Sequence, residues 1–195
     1  FRIAKEPSKI HTIRQFGTYY VLVMSFFGLV VGSLGTDVFL ILTPDDFHTG
    51  KTVVPFVAFG GVATGIYQVL ATSIFFSKCT KWLPFATIIA GLLNVGLNVV
   101  WIPRIGILAA AINTFIGYIV LASLIWPLSR RAFDVKHEYR RWIIAASASV
   151  LLLVTAIQIP TTSIHVSIAI HSVLLLLYPL LLSILGFWSR EEKQL

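Results

Sequence analysis

Charge and sulfur are scarce in this chain. Only 12% of its 195 residues are Asp, Glu, Lys or Arg, while 57% are hydrophobic. A chain so composed cannot hide its apolar surface in one water-soluble core, so lipid must act as solvent for much of it. There is one cysteine, Cys79, which excludes an intrachain disulfide framework and leaves no cysteine spacing for a metal. It sits between Lys78 and Thr80 in a short basic segment and reads most simply as a free thiol. The sequence has no Walker loop, no His-Glu-x-x-His and no Gly-x-Ser-x-Gly, and neither a repeat of 20 to 50 residues nor a low-complexity linker. No cofactor and no metal are expected, and no catalytic residue stands out.

What the chain does have is six long apolar stretches, at residues 15–42, 52–76, 82–102, 107–129, 142–160 and 164–188. Each is near or above the roughly 20 residues that cross hydrocarbon as a helix. The expected fold class is therefore all-α, a polytopic membrane protein with six transmembrane helices. If the chain crosses at each stretch, residues 1–14, 77–81, 130–141 and 189–195 share one side and carry thirteen of the fifteen Lys and Arg. Only Lys51 and Arg104 fall on the other side. Cationic segments resist translocation, so both ends of this segment are expected to be cytoplasmic, in an inner (plasma) membrane. The net charge of +7 then belongs to short loops facing an anionic leaflet, where each cation contributes on the order of 1 kcal/mol of attraction. Membrane lipids, not nucleic acid, are the expected partner of that charge.

Phe1 is not an initiator Met, and the first apolar stretch far exceeds the roughly 7 to 15 residues of a signal-peptide core. The expectation is the C-terminal piece of a longer protein. Residues 1–14 mix Arg2, Lys5, Lys9 and Arg14 with Ile3, Ile10 and Ile13, a composition that lies along a membrane surface. Within the first stretch Ser25, Gly28, Gly32 and Thr36 recur at small-residue spacing, a stripe that lets another helix come close. Gly61 and Gly65 make a second such face. Between the two, Thr43-Pro44-Asp45-Asp46 reads as a helix start, with Thr43 at the N-cap, Pro44 at the first helical position and the acids at the positive end of the dipole. That cap accounts for Asp45 and Asp46 without invoking a metal held with His48.

The third and fourth stretches are joined only by Pro103-Arg104-Ile105-Gly106, so they must be antiparallel neighbours. Counting outward from that turn puts Asn98 opposite Asn113 and Asn94 opposite Thr114, within reach of bonds across the hairpin. Residues 130–141 interleave cations with Phe133, Val135 and Tyr139, which suits an interfacial turn of helix. The last two stretches meet at Pro160-Thr161-Thr162-Ser163, and the final one is Leu-rich with His165 and His171 toward its outer side.

The run Leu92-Leu93-Asn94-Val95-Gly96-Leu97-Asn98-Val99-Val100-Trp101-Ile102-Pro103-Arg104-Ile105-Gly106-Ile107-Leu108-Ala109-Ala110-Ala111-Ile112-Asn113-Thr114 resembles a hairpin of the polysaccharide flippases. These are the O-antigen and lipid-linked oligosaccharide exporters of the multidrug/oligosaccharidyl-lipid/polysaccharide superfamily. Leu40-Ile41-Leu42-Thr43-Pro44-Asp45-Asp46-Phe47 is similar to a turn of the same family, and the basic loop before Trp142 has a counterpart after that hairpin. Ala109 stands where the pattern has its second glycine, and Asn113 where it has a small residue. The resemblance covers roughly residues 10–145. It implies that 1–145 supply helices 9 to 12, part of the second lobe of a two-lobed transporter, and that 146–195 supply two further C-terminal helices and a short cytoplasmic tail. Helices 1 to 6 and 7 to 12 of such a transporter enclose a cavity and rock between inward-open and outward-open states. The implied partners are a polyprenyl-pyrophosphate-linked oligosaccharide and the preceding helices of the same protein.

Candidate residues follow from polarity within the apolar stretches. Asp37 is the one acid inside them, and an ionised group costs roughly 2.5 to 3.5 kcal/mol at the centre of a membrane helix. It is either an ion-coupling group, or a side chain close enough to the end of its helix to reach outer headgroups. His171 is either a titrating relay or a ring bonded to a neighbouring helix. Asn94, Asn98, Asn113 and Gln68 either line a cavity and bond sugar hydroxyls or bond helix to helix. Arg104 either meets a phosphate as a bidentate donor or anchors the hairpin to headgroups. The rival functions are a drug or metabolite exporter of the same superfamily and a membrane-embedded sugar polymerase or acyltransferase. A carboxylate-rich cavity would favour the first. Reactive groups gathered at one membrane face would favour the second, and the outer loops here are nearly empty of them.

Overall fold

Backbone N–H and C=O groups find no water in hydrocarbon, so an apolar chain of this composition must satisfy them within helices. The computed structural model describes residues 7–78, 80–132, 135–160 and 163–188. Six helices cover most of them: α1 Pro7–Leu42, α2 Val54–Ser77, α3 Trp82–Ile105, α4 Ile107–Ala132, α5 Tyr139–Gln158 and α6 Ile164–Ile184. A 3-10 helix, Asp45–Thr52, lies between α1 and α2. All six helices are long and apolar enough to cross a membrane, and no strand occurs among the described residues. The protein is an all-α, polytopic membrane protein. The expectations for Cys79, Phe133, Thr161 and Thr162, for residues 1–6 and for the tail at 189–195 concern positions outside those described.

Four local expectations are corrected. Residues 7–14 do not form a separate surface segment, because α1 runs unbroken from Pro7. Hydropathy reports contact with lipid, and a helix can continue past it. The α3–α4 connection is shorter than the four-residue turn read from the sequence: α3 continues through Pro103 and Arg104, and only Gly106 breaks the path. Gly106 has φ +63, a left-handed backbone that a residue without Cβ adopts at little cost. Thr43 does not cap a helix. Its hydroxyl donates to Phe39 O at 2.6 Å, and the 3-10 helix has no side-chain cap. Residues 135–138 form no interfacial helix, and Val135 and His137 are buried against the bundle.

The helices pack around a central α1–α2 pair. α1 packs on α2, α5 and α6, while α2 packs on α4 and α4 on α3. The small-residue stripe of α1 lies at these contacts. A Cβ on Gly28 would lie 2.6 Å from Val62 Cγ2 of α2, and one on Gly32 would lie 3.1 Å from Leu153 of α5. Gly65 similarly makes room for Met24, whereas Gly61 faces open space. Two apolar cores result. Leu29, Phe59, Val62, Leu152 and Tyr178 join α1, α2, α5 and α6. Val21, Leu70, Ile74, Leu83, Ile125 and Trp142 join α1 to α5 on the other flank. The outer face of α3, with Phe85, Leu92 and Val99, stays exposed, as a lipid-facing or partner-facing helix requires.

Several hydroxyls in the helices satisfy themselves locally. Ser33, Thr64, Thr87 and Thr155 each donate to the carbonyl four residues earlier, which removes an unpaired donor from hydrocarbon. The connections α2–α3 and α4–α5 lie at one end of the bundle with the start of α1, since Glu138 meets Arg14 and Thr18. That basic end carries Arg14, Lys78, Lys81, Arg130, Arg131, Lys136, Arg140 and Arg141, and the opposite end carries Lys51 and Arg104.

Candidate functional site

Near the end opposite the basic one, α6 starts at Ser163, whose side chain accepts from Val166 N. The helix then places Ser167 and His171, four residues apart, on one face. That face meets the last turns of α1. Asp37, only 2% exposed, accepts from Ser167 Oγ at Oδ1 (2.7 Å), and its Oδ2 lies 2.6 Å from His171 Nδ1. Asp37 therefore turns into the bundle and does not reach for headgroups. Its partners lie 130 and 134 residues away in sequence. The two residues singled out for ion coupling are thus hydrogen-bonded to each other.

Beside them is a cavity of about 560 Å³, lined among others by Thr36, Lys51, Thr52, Phe56 and Leu153. The 3-10 helix supplies Lys51 and Thr52 because Gly50 lets it fold close to Phe39 of α1, where a Cβ would be 3.1 Å from the ring. Asp, Ser and His here do not form a nucleophilic relay. The Ser167 hydroxyl donates to the carboxylate, and the imidazole also meets the carboxylate, so nothing activates the serine. The arrangement can bind or pass a proton, or clamp α6 to α1.

A second cavity, about 580 Å³, is a groove between α1, α2 and α4. Glycines of α2 open it, Thr64 and Thr114 line it, and Tyr20 O–H donates to Gln68 Oε1 across it at 2.6 Å. Tyr20 and Gln68 also line a smaller pocket of about 210 Å³ with Phe16, Gly17 and Thr72. Their bond is the constriction between the two spaces.

Of the five residues considered for substrate contact, Gln68 alone lines one of these cavities. The three asparagines turn into the α3–α4 contact. Asn113 Nδ2 donates to Asn98 Oδ1 at 2.9 Å, as expected from the depths of the two residues. Asn94 does not meet Thr114; it accepts from Asn98 Nδ2 at 3.0 Å and lies over Gly117, while Thr114 bonds its own helix at Ala110 O. Asn113 and Ala109, the two departures from the hairpin pattern, are both fully buried. Arg104 stands exposed at the hairpin tip. His48 bonds Thr43 O and lies 3.5 Å from Asp45. Among the described residues no three His, Cys, Asp or Glu side chains gather as metal ligands would.

One cluster was not visible in the sequence. At the basic end Glu138 Oε2 accepts from Thr18 Oγ1 and from Arg141 Nη1, both at 2.9 Å, with Arg14 Nε 3.6 Å from Oε1. Trp142 Nε1 donates to the same Thr18 hydroxyl at 3.4 Å, and the Arg141 guanidinium lies 4.5 Å over the Phe187 ring. An acid, Glu138, flanked by the basic residues of one loop was the available signal. Comparison with protein-family models, curated proteins and solved structures finds no match to this chain.

Proposed function

We propose that this chain forms part of the second lobe of a polysaccharide flippase, which carries the headgroup of a polyprenyl-pyrophosphate-linked oligosaccharide, such as an O-antigen precursor, across the inner membrane by alternating access. The groove between α1, α2 and α4 carries the reading. It runs beside Gly60 and Gly61 to the Tyr20–Gln68 constriction and offers hydroxyl and amide groups, the neutral donors and acceptors that match sugar hydroxyls. Support also comes from the hairpin at residues 92–114, the stretch that resembles the flippase pattern. A cation exporter of the same superfamily needs carboxylates on its path, and the groove has none among its lining residues. The chain acts as a transporter, not an enzyme.

The cationic loops support a cytoplasmic location for the basic end, because Lys and Arg segments resist translocation. Tags at Lys51 and Lys136, both exposed, should report opposite compartments, with Lys136 inside. The decisive experiment is deletion of the gene in its host. Surface polysaccharide should be lost while the lipid-linked precursor accumulates in the inner leaflet. Normal surface polysaccharide in the deletion strain would sink the reading.

A further inference from the structure

We propose that Asp37 and His171 form a proton-binding site, loaded through the cavity at the end of the bundle opposite its basic loops. Both residues lie inside helices long enough to span a membrane. Ionisable groups are expensive there and are retained where they handle ions or protons. A clamp between α1 and α6 would need no titratable ring, since Ser167 already supplies a donor to Asp37 of α1.

The geometry leaves the pair half-used. With His171 Nδ1–H donating to Asp37 Oδ2, the other ring nitrogen keeps a lone pair and has no hydrogen-bond partner among the described residues. His171 also lines the 560 Å³ cavity. A proton arriving there by water adds to Nε2, and the carboxylate with a neutral ring becomes a carboxylate with an imidazolium. The charge of the pair changes by one, and no bond to carbon forms or breaks. Release to the same cavity, or to another space once the helices rock, returns the ring to its first state.

The groups facing the pair are few. Lys51, from the 3-10 helix, is the one other charged side chain among the described residues lining the cavity. α2, α4 and α5 contribute uncharged side chains there, Phe56, Phe115 and Leu153 among them. His165, on α6, is exposed and lies outside the cavity lining.

Proton binding does not depend on the flippase reading; what the proton drives does. The test therefore has two arms, on the whole protein reconstituted in liposomes. In the first, nitrogen NMR of histidine-labelled protein identifies the His171 ring by the signal lost in His171→Gln. The ring should titrate in the wild type and in Ser167→Ala, which removes a bond but no titratable group, and its titration should be displaced or lost in Asp37→Asn. A ring that keeps one protonation state from about pH 5 to 8, or that titrates identically in Asp37→Asn, would overturn the site.

In the second arm a fluorescent polyprenyl-pyrophosphate oligosaccharide is followed under a pH gradient. Gradient-driven flipping should fall on the order of tenfold or more in Asp37→Asn, the scale of ordinary site-to-site coupling. Flipping that ignores these variants would overturn proton coupling. A titrating His171 with no flipping at all would leave the proton site standing and remove the flippase.

Discussion

Glu138 lies 2.9 Å from the Thr18 hydroxyl, across 120 positions of sequence. The contact fixes the α4–α5 connection to α1, and because Trp142 and Arg141 converge on the same two residues it also seats the start of α5. A loop that hydropathy places at a membrane surface is in fact a fastening of the bundle.

The fastening predicts a measurable cost. Glu138→Ala removes the carboxylate to which Arg141, whose side chain is 12% exposed, donates at 2.9 Å. Losing one partner of a mostly buried charged bond costs about 1–3 kcal/mol. Unfolding in detergent should show a drop of that order, with a smaller drop for Thr18→Val. A Glu138→Ala protein as stable as the wild type would show that the cluster is screened and contributes little.

Two glycines of similar sequence context should behave in opposite ways. A Cβ on Gly28 would sit 2.6 Å from Val62 Cγ2, and Val62 is buried and β-branched, so neither side chain can retreat. Overpacking of this kind costs about 1–3 kcal/mol. Gly61 has nothing within 4 Å, so Gly61→Ala should stay within about 0.5 kcal/mol, as surface changes usually do. Thermal unfolding of the two variants side by side is the check, and equal losses would refute the close α1–α2 approach.

The six helices were legible because each is a run of apolar residues long enough to be read without knowing its neighbours. The depth match of Asn98 and Asn113 was legible for a similar reason, since a short turn fixes the relative heights of two helices. Long-range partners were not. Asp37 read alone looked able to reach headgroups, and nothing near it in sequence announces α6. The signal that existed was Ser167 and His171 at a spacing of four, which puts both on one face of that Leu-rich segment. Thr43 misled because its hydroxyl had two available partners, a backbone N–H from which it would accept as a cap and a carbonyl one turn back to which it donates, and sequence does not choose between them.

The asparagine pair gives a prediction about energy scale. Asn113 donates to Asn98 inside the α3–α4 contact, and Asn98 donates on to Asn94. Interhelical bonds of this kind in membranes average about 0.6 kcal/mol. A double-mutant cycle with Asn98→Ala and Asn113→Ala should return a coupling near that value. Coupling indistinguishable from zero would mean that the two amides only fill space.

Gly61 also tests the route for substrate, because it combines an open position with a place in the groove. Gly61→Leu adds a side chain where no atom lies within 4 Å of the new Cβ, so it should fold with nearly wild-type stability. The same side chain projects into the space bounded by Thr64, Ala110 and Thr114 and narrows the approach to the Tyr20–Gln68 constriction. If a sugar headgroup passes there, flipping of a lipid-linked oligosaccharide should fall by on the order of tenfold or more, as when binding geometry is obstructed. Tyr20→Phe, which removes the bond across the constriction but not the ring, should keep transport. Wild-type flipping in a stably folded Gly61→Leu protein would move the path away from the groove between α1, α2 and α4.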